Sequence, residues 1–166
     1  MRRVAKEAGI TAMAIYHHFP NRETMLSAVV DSEFERLVEF FDQSNGKVSF
    51  EASMIHVVDG YIDYALAHPR IFDYVFSMPR PGACRFPDDF RARRSPTLNL
   101  VADVVCSWMK LGKLKRDDPW EIAMELWAHV HGYLALWRAG RFHLSEDEFR
   151  KLLRRSLRRL LHGLAR

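Results

Sequence analysis

Cysteine is scarce in this 166-residue chain, which carries only Cys84 and Cys106. Two thiols so placed form no disulfide framework and no metal-ligand spacing, and they suit a reducing compartment. Long apolar runs are also missing. No stretch approaches the roughly 20 residues of a membrane-spanning helix, and no secretory leader is visible. The expectation is a cytoplasmic protein with no membrane partner. Strand-like alternation of useful length, internal repeats and low-complexity tracts are absent, which leaves the helix as the regular structure. No nucleophile elbow, phosphate-cradling glycine loop or carboxylate pair with a reason to be paired is found. The chain is therefore expected to be no enzyme and to hold no cofactor or metal. His129 and His131 stand two apart on a helix and point to opposite sides, so one ion is not easily held by both. Core or pocket roles suit them better.

What is present is an ordinary globular balance, 48% hydrophobic and 28% charged, with a formal net charge of +4 and a pI near 9.3. That permits a nucleic-acid partner without establishing one. The stretch VAKEAGITAMAIYHHF, Val4 to Phe19, is more specific. It reads as two short helices joined by a tight turn. Gly9 supplies the left-handed turn residue, Ile10 an apolar plug, and Thr11 a cap for the second helix. That helix, Ala12 to His18, buries Ile15 and Phe19 and leaves Thr11, Ala12, Met13, Ala14, Tyr16 and His17 mostly outward. Ala5 is small where two helices cross steeply. These offsets form a helix-turn-helix, the arrangement that lays a recognition helix in the DNA major groove. Arg2, Arg3, Lys6 and Arg22 outweigh Glu7 here, as a phosphate-facing surface requires.

Helical periods then fill the chain. Pro20 ends the recognition helix and Asn21 caps a long one whose apolar residues include Met25, Leu26, Val30, Phe34 and Leu37, with Asn45-Gly46 marking its end. Ser49 caps a helix with the stripe Met54, Val58, Tyr61, Ile62 and Ala65. Pro69 opens a short one running to about Met78. Helical signals fade from Pro79 to Arg94, where prolines and arginines crowd together; a loop that long is either mobile or functional. Ser95-Pro96 caps the next helix, closed by Gly112. Asp118-Pro119 opens one that is apolar on more than one face, and Gly140 ends it. Ser145 to Glu148 is a capping box starting a last helix rich in leucine. Arg150, Lys151, Arg154, Arg155, Arg158 and Arg159 lie opposite those leucines. A membrane surface is a weaker reading of them than acids and bases arranged along the helix dipole, with the leucines on a partner.

ITAMAIYHHFPNRETML resembles the hallmark of the tetracycline-repressor-like (TetR) regulators, in which a tyrosine and a phenylalanine close the recognition helix and a basic residue opens the next. Tyr16, Phe19 and Arg22 stand at those places. LWAHVHGYLAL, through Trp127, His131 and Gly132, and AHPRIFDYVF resemble segments of a Trp-His-Gly subgroup of the larger domain. The resemblance implies an all-α chain with a helix-turn-helix DNA-binding domain over residues 1–44 and a helical-bundle ligand-binding and dimerisation domain over 45–166. It implies a transcriptional regulator, a repressor released by a small, apolar effector, acting as a homodimer on a palindromic double-stranded operator. Thr11, Tyr16, His17 and Arg22 would hold phosphates, and Ala12, Met13 and Ala14 would meet base edges. Tyr61, Phe72, Phe76, Trp108, Met124, Trp127 and His131 would line the effector cavity. Trp137, Phe149, Leu153, Leu157 and Leu160, on the last two helices (residues 119–139 and 146–163), would form the dimer interface. The competing class is a ligand-binding or interaction protein that kept only the larger domain.

Regulators of this kind resemble one another in a further helix that precedes the helix-turn-helix and packs across it. Here Met1 stands directly on the motif's first helix, as if the start were misplaced, the chain cut or the helix lost. On that reading Val4, Ala5, Ile15, Phe19 and Leu26 lack one wall of a small core. The expectation is a mobile Arg2–His18 segment and operator binding that is weak or absent.

Overall fold

Turn chemistry shapes the N-terminal unit. Helix α1 (Arg2–Glu7) stops where Gly9 takes φ +68°, and the Ile10 and Gly9 amides return to the Ala5 and Lys6 carbonyls at 3.0 and 3.3 Å. These paired bonds satisfy the carbonyls that a helix end leaves free. Thr11 then caps α2 (Ala12–His18), its Oγ1 accepting the Ala14 amide at 3.1 Å. Ala5 and Ile15 are buried between the two short helices, whereas Val4 and Ile10 remain exposed. Asn21 Oδ1 accepts the Thr24 amide at 2.8 Å and starts α3 (Arg22–Phe41), the long helix that leaves this unit.

The computed structural model describes residues 1–41 and 49–165. The expected helix end at Asn45-Gly46, and with it the boundary between residues 44 and 45, lies outside the described residues.

Beyond it, α4 (Phe50–Ala67), α7 (Pro96–Lys110), α8 (Pro119–Arg138) and α9 (Glu146–Leu164) build the larger body. Side chains at the expected places cap three of them: Ser49 on α4, Asp118 on α8, and the reciprocal Ser145–Glu148 box on α9. Ser95 stands before α7 but makes no cap bond, and its side chain is buried. Helix α3 packs on α4 and α7, α7 on α8, and α9 on α8 and α4. Among the described residues every regular element is helical, with one isolated bridge between Leu114 and Ala165.

Two segments depart from the sequence reading. The helix opened by Pro69 is α5 (Pro69–Phe72) for one turn and then widens into a π-helical turn, Asp73–Ser77, closed by the Met78 amide on the Asp73 carbonyl at 2.9 Å. The stretch 79–94 is not a plain loop. It contains α6 (Asp88–Arg91), it buries Phe90, and Asp89 ties it together by accepting from the Arg85 amide at 2.8 Å and from Arg94 at 2.6 Å.

Helix α9 corrects two further expectations. Phe149, Leu153 and Leu157 are 0%, 0% and 1% exposed within the single chain, packed with Tyr61, Leu126 and Leu134, so a partner subunit cannot reach them. Trp137 is held at home as well, stacked on Phe149 with ring centroids 4.8 Å apart; only Leu160 of the set stays partly open without such a tie. The cations opposite the leucines are not simply a solvated face. Arg150 reaches Asp63, Arg154 forks onto Asp59 at 2.7 and 3.1 Å, and Arg158 takes Glu51 at 2.7 Å. They lace α9 to α4.

Candidate functional site

The N-terminal unit presents one polar and apolar face to solvent. Thr11, Met13, Ala14, Tyr16, His17 and Arg22 are exposed and Ala12 is half-buried. Met13 is 79% exposed. An apolar side chain left out on a helix whose other face is buried is suited to thymine methyl groups, and the Thr11 and Tyr16 hydroxyls beside it to phosphate oxygens.

The second site is a cavity of about 210 Å³ between α3, α4, α7, α8 and the 75–98 segment. Its walls are apolar: Phe34, Val58, Phe76, Leu98, Val101 and Val130 are among them. Phe76, on the π-helical turn, is the centre of an aromatic group. Its ring lies 5.8 Å from Phe34, 5.4 Å from Tyr61, 5.1 Å from Phe72 and 6.4 Å from Trp127. Turns of this kind recur at functional sites because they re-aim a side chain that a regular helix would place elsewhere. Arg138 secures the turn, its guanidinium forked on Asp73 at 2.6 and 2.9 Å.

Tyr61 supplies a polar floor. Its hydroxyl accepts from Trp127 Nε1 at 3.0 Å and meets His131 Nδ1 at 3.0 Å. The Tyr61 hydroxyl can donate to Nδ1 when the imidazole carries its proton on Nε2, or accept from Nδ1 in the other tautomer. Burial pushes the Tyr61 hydroxyl far above its ordinary pKa and pushes His131 below its own, so both stay neutral. His129, on the other side of α8, instead meets Ser156 Oγ at 3.1 Å. The two histidines face different partners, as their spacing requires.

Of the seven residues expected around an effector, Tyr61, Phe76 and Trp127 line the cavity and His131 backs it through Tyr61. Three are corrected. Phe72 is fully buried, stacked on His131 at 5.8 Å; Trp108 packs on Phe50, 5.7 Å away; and Met124 does not line the cavity but packs on the cluster of Phe90, Leu98, Ala102 and Ala123, of which Phe90 and Leu98 form cavity wall. Helical periodicity gave each an inward face but not which interior it met. Conversely, Phe34, Arg80, Cys84, Ser95 and Thr97 line the cavity and were not expected there. The signal available for four of them was the long 79–94 stretch and its flank, since unusually long connections tend to carry function.

Helix α3 joins the two sites. Its Arg22 end stands beside the recognition helix, and about two turns before its end at Phe41 the Phe34 side chain enters the cavity wall while Glu33 is buried against Tyr64 of α4. A helix-turn-helix unit carried on a long helix, set on a helical body with an internal cavity, defines a one-component transcription factor class.

Comparison with known proteins agrees. Residues 1–29 match the model described as bacterial regulatory proteins, tetR family, and residues 54–165 match that described as tetracyclin repressor-like, C-terminal domain. The chain belongs to the TetR family and is a DNA-binding transcriptional regulator. No curated protein matches it in sequence. Solved structures share its fold. A protein of unknown function from Rhodococcus sp. RHA1 is 22% identical, with a TM-score of 0.76 over 99% of this chain and 84% of that one. The fatty acid degradation regulator FadR from Bacillus halodurans is 17% identical, with a TM-score of 0.76 over 98% and 87%. RolR in complex with resorcinol is 14% identical, with a TM-score of 0.64 over 99% and 75%.

Proposed function

We propose that the chain is a repressor that a small effector with an apolar body releases from a palindromic operator. The observation that carries this is the double attachment of α3, which starts beside the recognition helix at Arg22 and puts Phe34 into the cavity wall. A ligand shifts an equilibrium only by its differential affinity for the two states. Filling the cavity against Phe34 and Phe76 changes the packing of α3 directly, which is such a difference. The cavity is somewhat larger than the roughly 150 Å³ apolar hole that accepts benzene, so a single ring or short chain fits. RolR, of the same fold, is seen with a one-ring ligand, resorcinol.

The working unit is a homodimer. Within one chain Ala128, Gly132, Ala135 and Leu136 form an open apolar stripe along α8, and Leu160 is partly open on α9. A second copy covering that stripe sets two recognition helices about one DNA turn, or a small multiple, apart. Residues 1–44 then read DNA and 45–166 bind effector and partner.

Labelled operator, obtained by selection from random DNA, is titrated with the protein and then with ligands found by thermal shift. The expected result is that ligands release wild-type protein, whereas Phe34→Ala protein binds ligand but keeps its DNA. Ligands that bind the cavity and leave operator affinity unchanged would overturn the reading.

A further inference from the structure

Among the described residues, one cation that lines the proposed effector cavity makes no salt bridge. Arg80, half-buried, is among the residues that line the apolar cavity. Its guanidinium makes only long bonds to backbone carbonyls, Nε to Val75 at 3.4 Å and Nη1 to Pro81 at 3.5 Å. Nearby arginines differ: Arg91 takes Asp118, Arg93 takes Asp103 and Arg94 takes Asp89, while among the described residues no carboxylate pairs with Arg80. A partly desolvated charge without a counter-ion is costly, and an oxyanion beside it repays that cost through charge-assisted bonds. Arg80 and Ala83 also border a second depression together with Arg85 and the paired Arg94 and Asp89, in which cations outnumber carboxylates. Two hydroxyl-bearing residues, Ser95 and Thr97, also line the cavity and add donors to it.

We infer that the effector is a small anionic amphiphile, its ring or short chain among Phe34, Phe76 and Val101 and its carboxylate or phosphate on Arg80. This rests on the reading of the cavity as the effector site. Carboxylate suits the planar guanidinium by a two-pronged bond, and phosphate does so equally.

The test is calorimetric titration of the whole protein with benzoate, hexanoate and phenyl phosphate, and with the neutral isosteres benzamide and hexanamide. Wild-type protein is expected to bind at least one anion about tenfold or more tighter than its amide, equivalent to about 1.4 kcal/mol. Arg80→Gln should abolish that preference while keeping the amide's affinity and the melting temperature. The stronger of the carboxylate and phosphate arms identifies the head group. Equal binding of anion and amide, lost in the cavity-filling Val101→Phe variant, would overturn the anionic assignment and leave the cavity reading intact. Binding unaffected by Val101→Phe, or no binding by any of the five, would overturn both.

Discussion

The Tyr64 hydroxyl donates to Glu33 Oε2 at 2.8 Å, joining α3, which carries the DNA reader, to α4 of the larger body. Both side chains are buried, and Arg36 takes the other carboxylate oxygen at 3.0 Å. Burial, and then the neighbouring Glu33 carboxylate, hold the Tyr64 hydroxyl protonated well above its ordinary range. Removing the donor leaves a buried carboxylate half-satisfied. Tyr64→Phe should lower stability by about 1–3 kcal/mol, read as a lower denaturation midpoint at unchanged slope. An unchanged midpoint would show that the bond does not brace the two units.

His131 makes stability depend on pH. Its folded pKa lies below the ordinary value because burial disfavours the imidazolium, so the unfolded chain binds the extra proton more readily. Stability is therefore full above the unfolded pKa of about 6.5 and is lost as pH falls below it. Denaturation midpoints measured from about pH 7 down to 5 should fall less steeply for His131→Gln, which keeps an acceptor and cannot titrate. Parallel slopes in the two proteins would contradict this.

The arginine ladder on α9 predicts small effects. Arg154→Ala breaks the fork on Asp59, and Arg158→Ala the pair with Glu51, both partly exposed. Each should cost about 1 kcal/mol or less and shrink further in high salt. Because these cations already serve α4, the wild-type protein should not sediment with anionic lipid vesicles. Strong vesicle binding would restore a membrane role to α9.

Two leucines separate folding from association. Leu153 is fully buried in one chain and Leu136 is 50% exposed. Leu153→Asp should unfold the larger body, seen as lost helical circular dichroism, because a carboxylate there has no partner. Leu136→Asp should stay folded and shift the light-scattering mass from twice 19.4 kDa toward one chain. A folded Leu136→Asp dimer would place the interface elsewhere.

Much of the fold was legible in the sequence because its helix ends are chemically marked. Thr11, Asn21, Ser49, Asp118 and Ser145 cap the helices they were expected to cap, through local bonds that need no tertiary knowledge. The exposed set on α2 was legible for the same reason, since seven residues with Ile15 inside leave little choice for the rest. Periodicity identifies an apolar face but not what covers it. The leucines of α9 were thus assigned to a partner subunit, whereas they meet Tyr61 and Leu126 of their own chain. Trp108 and Met124 were misplaced likewise. The π-helical turn has no signature in Asp73–Ser77, because its stabilisation comes from Arg138, 65 positions away. Arg80 reaches the cavity only through the packing of the 79–94 stretch, a non-local relation that spacing does not encode.

Selection of binding sites from a random double-stranded DNA pool tests the central claim most directly. Ala5 and Ile15 are buried and the Gly9 turn is bonded, so, against the expectation of weak or absent binding, a TetR-family regulator with Met13, Tyr16, His17 and Arg22 exposed should enrich a palindrome whose half-sites lie about one helical turn, roughly 10 base pairs, or a small multiple apart. Affinity for that site should fall steeply with salt, and Tyr16→Ala or His17→Ala should weaken binding without altering the fold. Failure to enrich any site, or enrichment unaffected by changes on α2, would contradict the account.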